Sequence, residues 1–186
     1  DGSVGYKISK IEADAVTVSH DHYDHNYVEG VQGDPVIIKE LGVHTIENVH
    51  IKGVQAFHDE VKGEKRGPMV LYHYDIDGLT LCHLGDLGHL LSKAQTEEIG
   101  KVDVLFIPVG GTFTLDAEGA AAVVEQLSPR LVIPMHFATP AVSMPIDPVE
   151  NFLEKMGKGE HIESTCIEVT AETLGEELQV VVLNYE

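Results

Sequence analysis

Apolar positions along the chain fall in short runs separated by turn residues, and their spacing predicts strands first and helices later. Residues 15–19 form a β-branched run without polar alternation, which predicts a buried strand. Residues 35–38 predict another. Over 48–57, Val49, Ile51 and then Val54 mark one strand, with Gly53 placed for a bulge. The runs 69–76 and 79–84 flank Asp77-Gly78. Both residues tolerate positive φ, so the pair predicts a hairpin. Residues 102–107 and 131–133 read as buried strands, and 166–169 and 179–183 carry the strand pattern to the C-terminus.

Helix signals lie between the later strands. Ser92-Lys93-Ala94-Gln95 has the form of a capping box and opens a helix that ends near Ile99. The Ala-rich run 116–127 predicts a second. Asp147-Pro148-Val149-Glu150 places an N-cap at Asp147 and a proline in the first turn of a third helix, which Gly157 stops after Met156. No repeat or linker interrupts the pattern. It predicts a single α/β (α+β) domain over residues 1–186, with stacked sheets and helices outside.

Composition changes this picture in two places. The first is charge: 12 Lys and Arg against 31 Asp and Glu leave a formal net charge of −19. Such a surface repels phosphate backbones and anionic lipids, which argues against nucleic-acid and membrane partners. No apolar run nears the ~20 residues of a membrane span. The opening segment Asp1 to Tyr6 lacks the apolar core of a secretory signal. Two cysteines, Cys82 and Cys166, make no disulfide scaffold, so a reducing, cytoplasmic setting is expected. The second is histidine, of which there are 11, several of them grouped.

The strand at 15–19 runs straight into Ser19-His20-Asp21-His22-Tyr23-Asp24-His25-Asn26. Side chains two apart in an extended segment point the same way, so His20 and His22 can meet one metal ion. A turn after them can aim Asp24 and His25 at a second. Imidazole with carboxylate suits divalent ions, zinc foremost, with manganese or iron as alternatives. Three later residues also stand at strand exits: His58 after 54–57, Asp86 after a sharp turn at Gly85, and His136 after 131–135.

The order His-x-His-x-Asp-His, a lone His, Gly-Asp and a late His resembles the metallo-β-lactamase-fold hydrolases. Wider stretches are similar to a branch of metal-dependent hydrolases related to ascorbate-phosphate lactonases: Ala56-Phe57-His58-Asp59, Lys65-Arg66-Gly67, His83-Leu84-Gly85-Asp86-Leu87-Gly88-His89, Ile107-Pro108-Val109-Gly110-Gly111 and Ile133-Pro134-Met135-His136-Phe137. The resemblance implies an αββα sandwich. It implies that His20, His22 and His58 hold a first metal, that Asp24, His25 and His136 hold a second, and that Asp86 bridges them. Family members begin with further strands before the first motif, so the resemblance also implies an open sandwich edge. Self-association or a separate N-terminal segment would cover that edge.

The expected activity is that of a binuclear metal-dependent hydrolase, in which a metal-bridging hydroxide attacks a small ester, lactone or phosphate-bearing substrate. Asp86 and Asp24 are the carboxylates nearest that chemistry, as ligands rather than general bases. Around them, Asp59 is placed to orient His58 or is merely solvated. Arg66 is placed to hold an anionic substrate group or simply faces solvent. His83 and His89 flank Asp86 as supporting donors or alternative ligands, and the strand parity that His83 shares with Leu79 and Leu81 favours a hydrogen-bonded core position for it. Gly110-Gly111-Thr112 offers backbone amides to substrate or makes a plain turn. Two rival readings are a metal-binding or redox scaffold of the same fold without turnover, and a nuclease. The net charge speaks against the nuclease, and His22 speaks against the redox pattern, which needs a carboxylate there.

Overall fold

The structure, a computed structural model, describes residues 4–7 and 10–185, so part of the opening segment read above lies outside it. Elements follow in the order β1 (Ile11–Glu12), β2 (Ala15–Thr17), β3 (Val31–Gln32), β4 (Val36–Ile38), β5 (Gly42–Ile46), β6 (Val49–Phe57), β7 (Pro68–Ile76), β8 (Leu79–His83), α1 (Lys93–Ile99), β9 (Val104–Pro108), α2 (Ala117–Leu127), β10 (Leu131–Met135), α3 (Val149–Met156), β11 (Glu160–His161) and β12 (Gln179–Val182). Eight strands make one sheet in the order β11-β12-β10-β9-β8-β7-β6-β5. Its first half is an antiparallel meander from β5 to β8, and its second half is parallel. Parallel neighbours cannot be joined by tight turns, so α1, α2 and α3 serve as crossovers.

All three helices cover the same face. Their buried residues, among them Ile99, Ala120, Val124, Val149 and Phe152, join Val54, Leu71, Leu105 and Val132 of the sheet in one core. In α3 the apolar residues Val149, Phe152, Leu153 and Met156 fall at helical spacing, so one stripe faces the sheet. On the opposite face, two parallel pairs, β1–β3 and β2–β4, form a slight second layer. The Tyr72 hydroxyl bonds the carbonyls of Val18 (3.2 Å) and Ile38 (3.0 Å), which fastens this layer to the main sheet. The chain is thus mixed α/β, with unequal facing β layers. Among the described residues no helix is long and apolar enough to cross a membrane.

Most expected elements are present, including the Asp77-Gly78 hairpin and the capping box at Ser92. Four details differ. Gly53 makes no bulge, because β6 pairs β7 without a break from His50 to Phe57. Ile51 and Val54 face opposite sides of a strand buried on both. A Cβ on Gly53 would lie 2.5 Å from the Glu40 carbonyl oxygen, so a close backbone crossing requires the glycine. Asp147 is not an N-cap. Its N–H donates to the Gly110 carbonyl (2.7 Å), and the helix starts one residue later, with Pro148 in the cap position. Residues 166–169 form no strand, since Glu160–His161 takes the open edge of β12. The edge strand β5 carried no clear signal, because most of its side chains, such as Val43, face solvent.

Candidate metal centre

Four segments deliver the site from strand exits. Ser19, ahead of His20, is tied to β7 by a bond from the Val70 N–H to its carbonyl (2.8 Å). His58 directly follows β6, and His136 directly follows β10. Asp86 lies past Gly85, whose φ is +51°, and a Cβ there would meet Met69 at 2.6 Å and Ser19 at 3.0 Å. Glycine spares the β8 exit both the left-handed backbone strain and these contacts as it turns beneath the first motif. His136 itself has φ +54°, a left-handed backbone that costs a non-glycine residue on the order of 1–3 kcal/mol and turns the chain sharply after β10.

The structure brings all seven expected residues together. The Asp86 Oδ2 atom lies 3.3 Å from His25 Nε2, 3.3 Å from His58 Nε2, 3.8 Å from His136 Nε2 and 3.9 Å from His20 Nε2. His22 Nδ1 is 3.1 Å from His20 Nε2, and Asp24 Oδ2 is 3.7 Å from His25 Nε2. His20, His22 and His58 offer three nitrogens within 4.8 Å of one another, and His20, His25 and Asp86 offer two nitrogens and a carboxylate oxygen equally close. His20, His58 and Asp86 are buried.

Burial, aided by the His25 charge, pushes the His20 imidazole down to about 3. Burial also opposes ionisation of Asp86, but hydrogen bonds from His25 and His58 hold its carboxyl well below the usual range. His25 is lowered by burial and raised more strongly by Asp86, so its net shift is upward. The buried Nδ1 atoms of His58 and His136 have no hydrogen-bond partner. A neutral imidazole beside a buried carboxylate is the protonation state that metal ligands need. Five imidazoles and two carboxylates make a donor set that fits divalent transition-metal ions.

The flanking residues take other roles than ligation. Asp59 does not touch the His58 ring. Its Oδ1 accepts the N–H groups of Val61 (2.9 Å) and Gly63 (2.7 Å), and its Oδ2 accepts those of Lys65 (2.9 Å) and Arg66 (2.8 Å). Burial pushes this carboxyl up, but the four donors prevail and hold it down to about 2. Asp59 therefore folds the β6–β7 loop, and the His58 N–H closes it on the Gly67 carbonyl (3.2 Å). His89 is not a ligand either. Its Nε2 accepts the Phe57 N–H (3.1 Å) and its Nδ1 meets the Leu90 carbonyl (2.8 Å), bracing the end of β6. His83 stacks on Phe106, and its Nδ1 accepts the Gly85 N–H (3.0 Å), which steadies the turn into Asp86. Cys82 is a buried apolar residue whose thiol burial pushes up to about 12.

Two cavities reach Asp86. One, of about 570 Å³, has walls that include His25, His83, Phe106, Phe137 and Tyr185. The other, of about 480 Å³, is lined by His22, Asp24, His58, His136, Arg66 and Phe113. Of the Gly110-Gly111-Thr112 turn, the Gly111 amide is taken by the Leu115 carbonyl (3.0 Å), and the Thr112 carbonyl faces Arg66 (3.1 Å). Gly110 is needed because a Cβ would lie 2.2 Å from the His136 carbonyl oxygen. The aromatic walls were not marked by any sequence signal, since Phe106 reads as an ordinary strand residue and Tyr185 lies at the far end of the chain.

The family described as Beta-lactamase superfamily domain matches residues 1–136. A UPF0173 metal-dependent hydrolase of Thermococcus kodakarensis is 33% identical over 158 residues, covering 72% of this chain and 70% of that protein. Its counterpart in Thermoplasma volcanium is 30% identical over 156 residues, covering 72% and 70%. Among solved structures, one described as a Zn-dependent hydrolase of the metallo-β-lactamase superfamily, from Thermotoga maritima, matches with a TM-score of 0.81 at 36% identity. It covers 94% of this chain and 84% of that one.

Proposed function

The chain belongs to the Beta-lactamase superfamily and, within it, to the UPF0173 metal-dependent hydrolases, and from this premise we propose that it is a two-metal hydrolase of small esters, lactones or phosphate esters. The observation that carries the two-metal reading is Asp86: one carboxylate oxygen stands within 4 Å of four imidazole nitrogens. His20, His22 and His58 would hold one ion. Asp24, His25 and His136 would hold the other, and Asp86 would touch both. Zinc suits these donors best, with manganese or iron as substitutes.

When bound, two such ions supply a polarising charge on the substrate oxygen and a water ionised near neutral pH. The chain does the rest. The Asp59-bound loop sets His58, and His89 fixes the strand end before it. The aromatic cavity offers apolar walls to a substrate body beside the reacting centre. Asp24 and Asp86, already engaged as donors, leave no free carboxylate in the cluster to act as a general base.

A substrate panel tests this. Protein loaded with zinc or manganese is assayed on a lactone, a nitrophenyl ester, a phosphodiester and a β-lactam. Turnover of at least one of the first three is expected, with loss on chelation and recovery on adding metal back. Metal-loaded protein inert on every member would contradict the reading.

A further inference from the structure

Arg66 brings a cation to the wall of the smaller cavity that reaches Asp86. Arg130 pairs with Asp103, and Lys101 and Lys65 also have carboxylate partners. Arg66 has none within 4 Å among the described residues. Its Nη2 donates to the Thr112 carbonyl (3.1 Å), and its guanidinium lies 5.5 Å from the centre of the Phe113 ring. It is the only Lys or Arg in the walls of the two cavities that reach Asp86. Both ends of this arm are held. The Arg66 N–H is bound by Asp59 (2.8 Å), and the Thr112 hydroxyl is bound to the Pro145 carbonyl (2.7 Å). One carbonyl uses one of five guanidinium N–H groups, which leaves a planar fork free for an oxyanion.

Building on the hydrolase reading, we infer that Arg66 receives an anionic group of the substrate. The substrate class is then a small ester or lactone that carries a carboxylate or phosphate near the scissile bond. The anion sits on Arg66 in the smaller cavity, the scissile carbonyl sits over Asp86, and the apolar body extends into the larger one. A guanidinium over a ring suits this task better than a lysine, because its donors are already arranged for two parallel bonds.

The test uses metal-loaded protein and three 4-nitrophenyl esters whose acyl chains end in carboxylate, phosphate or a neutral methyl ester. The matching anilides, which resist hydrolysis, report binding by calorimetry. Wild type should favour an anionic ester over the neutral one at least about tenfold. Arg66→Gln should cut that preference about 10–100-fold, the value of a lost charged hydrogen bond, in both kcat/KM and anilide affinity. Arg66→Lys should restore part of it. The anion that loses more identifies the natural group. The same anionic-to-neutral ratio in wild type and Arg66→Gln would overturn the inference. Absent ester turnover with Arg66-dependent anilide binding would sink the hydrolase reading and leave Arg66 standing. Turnover with no Arg66 dependence would do the reverse.

Discussion

Asp86→Asn is expected to lose more than about 100-fold in hydrolysis and to hold at most one metal ion tightly. Replacing a residue that only supports a ligand typically costs 10–100-fold, and a carboxylate shared by two ions should cost more. Asn has nearly the same shape, so packing is preserved and folding should survive. What is lost is the negative charge at the one oxygen that four imidazoles approach within 4 Å. Elemental analysis, turnover on the responsive ester and the far-ultraviolet spectrum check the three claims together. A folded variant with wild-type metal content and rate would remove Asp86 from the centre of the site.

The largest loss of stability is expected from Phe152→Ala. Phe152 is fully buried, and α3 is fastened to the sheet mainly through it and Val149. Truncating a buried phenylalanine costs about 3–5 kcal/mol, partly as lost transfer energy and partly as an unfilled cavity. At roughly 2–4 °C per kcal/mol for a domain of this size, melting should fall by about 6–20 °C. The damage should reach the site. The segment before α3 is held by the bond from Ala138 N–H to the Asp147 carbonyl (2.9 Å), and Met144 and Ile146 within it line the larger cavity. Thermal melting of the variant beside wild type measures this. A shift below about 2 °C would show that α3 is not seated as described.

The local part of the site was legible in the sequence because of how it is built. His20 to His25 lie within six residues at the exit of a buried strand, so their convergence needs no long-range information. His58, Asp86 and His136 were legible for a related reason: each stands at a strand exit, and β6, β8 and β10 run in the same direction, so these exits lie at one end of the sheet. Asp59 was not legible, because its partners are four backbone amides and an amide has no residue identity. His89 was named beside Asp86, but its bond to the Phe57 N–H was not legible, since it depends on how the chain returns after Asp86. In the slight second layer β2 and β4 were read at 15–19 and 35–38, while the two-residue strands β1 and β3 and the solvent-facing β5 lacked the apolar alternation that marks half-buried strands. At 166–169 the β-branched pattern was present, but Glu160–His161 already pairs with the edge of β12. Gly53 shows a further limit: pattern located an exceptional residue, while the cause was a backbone crossing from Glu40.

The proposed chemistry requires one cluster around Asp86 to hold two metal ions. Metal-stripped protein titrated with zinc, then dialysed and analysed for bound metal per chain, tests it most directly. Saturation at two ions per chain is expected, and at one or fewer for Asp86→Asn. Saturation at a single ion in folded wild-type protein would contradict it.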